Sequence, residues 1–323
     1  EIPKRIFSKI NHVIKKANEY PDGDSLNLKE TISNKFNINK NQIICGNGSD
    51  DILSIICQTF SREGDEVICS EYGFIYYPII ARAAGCNVVT AKTKNLSVST
   101  QNILKKINKK TKLIFIANPN NPTGSIIFRD ELIDFLNKVP KDIIVVLDGA
   151  YSEFIIDKDY SDGLDLIKKY QNLIVTRTFS KIFALAGFRL GWGCSNKNII
   201  NFMERVRGPF NVNSIAQHIG SLILNEDKFI EKSIKHNEKW KNILIRKFND
   251  FDLYTEASYT NFLLVKVPKK FSKNKLLKNL KKNKILVRDL ESYNLKNYFR
   301  VSIGTNSQMT RFLRVLEKIL KKP

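Results

Sequence analysis

Thr178-Phe179-Ser180-Lys181 carries a lysine, and Arg189 follows eight positions on, in Gly187-Phe188-Arg189-Leu190-Gly191. Upstream stand Asn118-Pro119-Asn120-Asn121-Pro122-Thr123-Gly124 and Asp148-Gly149-Ala150-Tyr151. In chain order these runs supply an amide, a carboxylate, a phenol, a hydroxyl, an amine and a guanidinium. A partly desolvated amine condenses with carbonyls. A carboxylate can hold a ring nitrogen protonated and so turn that ring into an electron sink. Asn121 and Tyr151 suit a ring oxygen, while Ser180 and Arg189 suit a phosphate.

Taken singly, each residue is ordinary. Lys181 is one lysine among many, Asp148 could cap a strand end, and Asn-Pro-x-Gly pieces are common turn chemistry. In this order they match what a protein must provide to pyridoxal phosphate: Lys181 for the covalent anchor and proton transfer, Asp148 for the ring nitrogen, Asn121 and Tyr151 for the ring oxygen. A further segment serves the phosphate. Cys45-Gly46-Asn47-Gly48-Ser49-Asp50 ends a strand and opens a helix, and a helix start presents free N–H groups to an anion. Gly48, Ser49 and the Asp50 amide form the expected cradle, closed by Ser180 and Arg189. Glu71–Pro78 is rich in aromatic residues, and Phe74 is the one expected to stack on the ring.

These residues must be held by a frame. Runs of Ile, Val and Leu predict strands at Gln42–Cys45, Glu66–Ser70, Asn87–Ala91, Lys112–Ala117, Ile143–Asp148, Leu173–Arg177 and Leu190–Cys194. Helical patterns lie between them at Asp50–Phe60, Tyr76–Ala84, Arg129–Asn137 and Asp162–Lys169. Continuous apolar strands alternating with helices predict an α/β fold, a mostly parallel sheet flanked by helices on both faces. Ligands of such sheets gather at the carboxyl ends of the strands, where Asn121, Asp148 and Ser180-Lys181 all fall.

Beyond about residue 225 the pattern changes. It predicts a long helix Asp227–Asn249, strand Asn261–Val267, helix Lys273–Asn283, strands Ile285–Arg288 and Tyr298–Ser302, and helix Ser307–Lys321. This is a smaller α+β domain. The expected division is an N-terminal arm at 1–25, partly joined to the small domain, a large cofactor domain at 26–225, and the small domain at 226–323.

The chain has 323 residues and a net charge of +21. Its lysines are spread along the chain and densest between Lys269 and Lys284, with few aromatics among them, so nucleic-acid binding is not expected. Small anionic ligands are the better use of the positive field. Cys45, Cys57, Cys69, Cys86 and Cys194 form no C-x-x-C pair, and His12, His218 and His236 stand apart. Buried thiols in a reducing cytoplasm are expected, with no metal site and no membrane span.

With these motifs in view, the chain resembles the fold-type I pyridoxal-phosphate aminotransferases, with an aspartate-aminotransferase-like fold. Within them it resembles the histidinol-phosphate aminotransferase group. The resemblance runs over nearly the whole chain, through Glu19–Asp22, Cys45–Asp51, Glu71–Pro78, Asn118–Gly124, Asp148–Phe154, Thr176–Trp192, Arg207–Val212 and Val287–Gly304. It implies a cytoplasmic homodimer of histidine biosynthesis in which the N-terminal arm touches the second copy and Tyr20 reaches the partner's cofactor phosphate. It also implies that Arg300 binds the substrate anion with help from Arg288, and that histidinol phosphate and 2-oxoglutarate exchange an amino group, giving imidazole-acetol phosphate and glutamate. The glycine at 149 is expected to matter little. Alternatives are an aminotransferase for aromatic amino acids or another small amino-phosphate, and a phospho-amino-acid decarboxylase, because orientation around one cofactor decides which bond breaks. A DNA-held regulator is disfavoured, since no helix-turn-helix pattern precedes the fold.

Overall fold

The computed structural model describes residues 2–321; Glu1, Lys322 and Pro323, at the ends of the expected arm and small domain, lie outside them. Seven strands form the main sheet: β1 (Ile43–Gly46), β2 (Glu66–Ser70), β3 (Asn87–Ala91), β4 (Thr111–Ala117), β5 (Ile144–Asp148), β6 (Leu173–Thr178) and β7 (Gly191–Cys194). Their order is β1-β7-β6-β5-β4-β2-β3. The neighbours from β3 to β6 pair in parallel, and β7 runs antiparallel to both β6 and β1. Every residue of β1, β6 and β7 is buried, as expected where helices cover both faces.

This topology builds the site. Strands β4, β5 and β6 point the same way, so the segments after them emerge at one edge. The chain leaves β6 at Thr178 and re-enters the sheet at Gly191, directly opposite Thr178. Ser180, Lys181 and Arg189 are thereby confined to one loop at that edge. Gly191 also pairs with Gly46, which brings the end of β1 to the same place. Helix Ser49–Phe60 starts there. It buries Ile52, Leu53, Ile55 and Ile56 and keeps Asp50 and Asp51 in its first turn, where the helix dipole favours negative charge.

A second sheet holds β8 (Tyr254–Thr255), β9 (Phe262–Lys266), β10 (Arg288–Asp289) and β11 (Tyr298–Ser302) in the order β10-β11-β9-β8, with all pairs antiparallel. Leu263, Val265, Phe299 and Val301 pack with Trp240, Leu244 and Phe248 of the helix Asp227–Asp250 and with Phe312 of the helix Asn306–Leu320. Near the N-terminus, Ile6 and Ile10 join the main core, and Arg5 pairs with Glu226. All five cysteines are free and buried. Among the described residues no helix is long and apolar enough to cross a membrane.

Two predicted elements are corrected. Asp162–Lys169 is a run of turns, not a helix. The Ser161 and Asp162 side chains accept from the backbone N–H groups of Gly163 and Leu164 (3.1 and 2.9 Å), a local alternative to a helical turn. The predicted strand Ile285–Arg288 shrinks to Arg288–Asp289. Ile285 donates its N–H back to Leu280 O (3.0 Å), closing the preceding helix instead of joining the sheet. Lys273, in the stretch read as solvated, is buried and bonded to Asp289 (2.6 Å).

Candidate active site

At the carboxyl edge of β4–β6 a cavity of about 180 Å³ is lined by Asn121, Asp148, Tyr151, Ser180, Lys181 and Arg189. Ser49, Asp50 and Phe74 complete its wall. Five segments far apart in sequence thus meet in one place.

Asp148 ends β5 and is only 4% exposed. Its carboxylate accepts from Tyr77 Oη (2.7 Å) and Thr176 Oγ1 (3.1 Å). Burial pushes its pKa up, against the pull of these two donors. It makes no ion pair among the described residues, although buried carboxylates are ordinarily paired. A protonated ring nitrogen fits that lack. Tyr77 itself stacks on Phe115 (5.0 Å between centroids) and meets Phe74 edge-on (5.6 Å), so the aromatic wall and the carboxylate form one packed unit.

Lys181 Nζ lies 5.3 Å from the centre of the Tyr151 ring. Burial lowers its pKa first, and Arg300 and Arg189 lower it further, while Asp148 and Asp50 oppose them. The amine is therefore neutral more often than a surface lysine at the same pH. Tyr151 is buried, which raises its phenol to about 12. Asn121 is buried after β4, and its Oδ1 accepts from Arg300 Nη1. Nearby Asn120 is fixed by bonds from its Nδ2 to Tyr72 O (2.8 Å) and Thr123 Oγ1 (2.7 Å).

The phosphate end is built differently. Gly48 caps the helix Ser49–Phe60 at φ +84, and no side chain caps this helix start. Its first N–H groups are left for another acceptor. A Cβ on Gly48 would lie 2.5 Å from Arg189 Nη2, so a larger residue would fill the cradle. Arg189 donates to Ser180 Oγ (3.3 Å), Ala186 O (3.1 Å) and Asp50 Oδ2 (3.1 Å). The cavity size, the uncapped helix start and the unpaired Asp148 together fit a planar, phosphorylated pyridine aldehyde.

Four predicted residues lie outside this cavity wall: Gly48, which adjoins it through Ser49, and Arg300, Arg288 and Tyr20. Arg300 reaches it only through Asn121, with its guanidinium over the Phe262 ring (4.7 Å). Arg288 is exposed and sits directly opposite Arg300 in the β10–β11 register. Tyr20 is 81% exposed and stacks on Phe210 (4.6 Å). The sequence reading passed over Tyr77, Thr176 and the Asp50 side chain. Thr176 was accessible, since the period of two puts Thr176 and Thr178 on one face of β6.

The chain is similar to known aminotransferases. Residues 3–316 match the family model for aminotransferase class I and II. Histidinol-phosphate aminotransferase of Pelagibacter ubique (strain HTCC1062) is 44% identical over 303 residues, covering 93% of this chain and 84% of that protein. Histidinol-phosphate aminotransferase 2 of Haemophilus influenzae (strain 86-028NP) is 39% identical, covering 98% and 85%. Among solved structures, histidinol-phosphate aminotransferase from Sinorhizobium meliloti in complex with pyridoxal-5'-phosphate superposes with a TM-score of 0.93 at 22% identity, over 99% of this chain and 88% of that one. At that identity the superposition speaks for the fold. The chain belongs to the class I and II aminotransferases, within the histidinol-phosphate aminotransferase family.

Proposed function

We propose that this protein moves an amino group between histidinol phosphate and 2-oxoglutarate, with pyridoxal phosphate held in the Lys181 cavity. The observation that carries the substrate reading is the pair Arg288 and Arg300. Like charges directly opposite on neighbouring strands destabilise a sheet. Here neither arginine pairs with a carboxylate among the described residues, and Arg300 Nε is buried without a partner. An anion between them removes the repulsion. A planar guanidinium donates to carboxylate or phosphate oxygens equally well, so one seat serves glutamate and the phosphate ester in turn. Arg288 adds the second charge that a phosphate needs. Sequential use of one seat makes the kinetics ping-pong.

When bound, pyridoxal phosphate supplies a carbonyl that condenses with amines and a ring that accepts the electron pair left by a departing α-proton. Asp148 would hold the ring nitrogen's proton, and Asn121 and Tyr151 would hydrogen-bond the ring oxygen. Phe74 would cover one ring face. The amides of Ser49 and Asp50, above Gly48, would receive the phosphate together with Ser180 and Arg189. Tyr20 of one protomer would add a hydroxyl to the phosphate held by its partner in a homodimer. Lys181 Nζ would be the covalent anchor and then carry the proton from the substrate α-carbon, a task its lowered pKa favours. In this reading residues 26–225 are the cofactor domain, 226–323 bring the two arginines, and 1–25 form the arm.

The test is a single half-reaction. Cofactor-loaded protein mixed with histidinol phosphate alone should lose its visible absorbance and form imidazole-acetol phosphate, with recovery on adding 2-oxoglutarate. A response to aromatic amino acids and none to histidinol phosphate would overturn the substrate.

A further inference from the structure

Behind the cavity, Arg177 is buried in β6 between Thr176 and Thr178, and its side chain takes the opposite face of the strand. It is a charge in the core, 2% exposed, that touches neither the cavity nor solvent. Its Nη1 donates to Glu153 Oε1 (3.1 Å), and its Nη2 pairs with Asp162. These two carboxylates hold it charged against the cost of burial. Glu153 lies in the short turn that begins just after Tyr151, and Ser152 beside it bonds Tyr160 Oη (2.8 Å). Tyr160 Oη donates to Asn118 O (2.8 Å), so Ser152 is the donor in its own bond. Asn118 N in turn donates to Asp148 O (3.0 Å). One connected set of bonds therefore ties the ends of β4, β5 and β6, the three places from which Asn121, Asp148, Tyr151 and Lys181 emerge.

Gly149 lies against this set. A Cβ there would stand 2.5 Å from Ser152 Oγ and 3.2 Å from Arg177 Cδ. A side chain there would crowd the Ser152 hydroxyl and the stem of Arg177. A buried ion pair contributes little net stability, because desolvation offsets its attraction, whereas its geometry is specific. Its value here lies in placement.

We infer that Arg177, through Glu153 and Asp162, is a positioning residue that fixes Tyr151 and Lys181 relative to one another from the far side of the sheet. The inference rests on the reading of Lys181 and Tyr151 given above. It is tested with Arg177→Lys, which keeps the charge and loses the fork, and Glu153→Gln, which keeps the shape and loses the charge. Three quantities are measured on each: the thermal midpoint of cofactor-free protein, the pyridoxal phosphate dissociation constant, and the pH midpoint of Lys181 modification by an amine reagent in cofactor-free protein, read by peptide mass mapping. Both variants should fold, bind the cofactor at least about tenfold more weakly, and shift the Lys181 midpoint upward toward that of an ordinary lysine. Unchanged affinity and midpoint in both would overturn the inference. So would failure of either to fold, or losses that follow the thermal midpoint alone. The Lys181 midpoint is read without cofactor, so it separates this inference from the cofactor reading, which fails on its own if the unmodified protein binds no pyridoxal phosphate.

Discussion

The two ends of the site proposed to bind anions are built on opposite plans. Arg189 is held at three points by residues of its own sheet edge, and Asp50 already balances part of its charge. Arg300 and Arg288 come from the second sheet, face each other, and have no carboxylate among the described residues. In the proposed reading, the first end is preorganised for a ligand that stays. In the same reading, the second is the seat that an exchanging anion would neutralise. A resident cofactor and exchanging substrates call for this difference, since a pre-satisfied substrate seat would slow release and an unsatisfied cofactor seat would cost stability.

The comparison breaks most severely at the residue the two ends share. Lys181→Ala should abolish turnover with either substrate while circular dichroism and the thermal midpoint stay near those of the unmodified protein. Next comes Arg300→Met, which should raise the barrier read from kcat/KM for both histidinol phosphate and glutamate by about 2–5 kcal/mol, the range for truncating one partner of a buried charge pair, and change cofactor affinity less than Arg189→Ala does. Steady-state kinetics beside a cofactor titration decide this. Arg189→Ala should do the reverse, weakening cofactor binding by about 1.5–3 kcal/mol and leaving the preference between substrates unchanged. An identical pattern from both substitutions would erase the distinction between the two ends.

The smallest expected effect is on pH dependence. The Lys181 pKa is lowered by burial and then by Arg300. The neutral amine therefore accumulates as pH rises through a midpoint below the ordinary lysine value. Removing the positive charge of Arg300 eases protonation and moves the midpoint upward. Modification rates of Lys181 in cofactor-free protein, measured from neutral to alkaline pH, should show that shift in Arg300→Met. Linkage gives a second sign. Because the unfolded chain holds the lysine proton over a pH range where the fold does not, this residue lowers stability at neutral pH. That penalty is full below the lowered midpoint of the folded protein and fades as pH rises from there to the ordinary lysine value.

The frame was legible because its central strands are buried on both faces. Leu113–Ala117 and Val145–Leu147 are apolar without interruption, and only a covered sheet uses such runs. Strand ends then placed Asn121, Asp148 and Lys181. The turns at 161–169 misled because Asp162 and Asp165 at their start and middle resemble an acidic helix start, whereas Asp162 is committed to Arg177. Tyr77 was illegible for another reason: in a run of aromatics, nothing local separates the ring that packs from the one whose hydroxyl meets Asp148. Arg288 and Arg300 were visible as residues, but their opposition across two strands appears only when the register is known.

In a chain with 53 lysines and arginines, the central claim is that one particular amine does the chemistry. Borohydride reduction of cofactor-loaded protein, followed by peptide mass mapping, reads this directly. The account predicts a single modified peptide carrying the reduced cofactor on Lys181. A label spread over surface lysines, or fixed at another one, would contradict it.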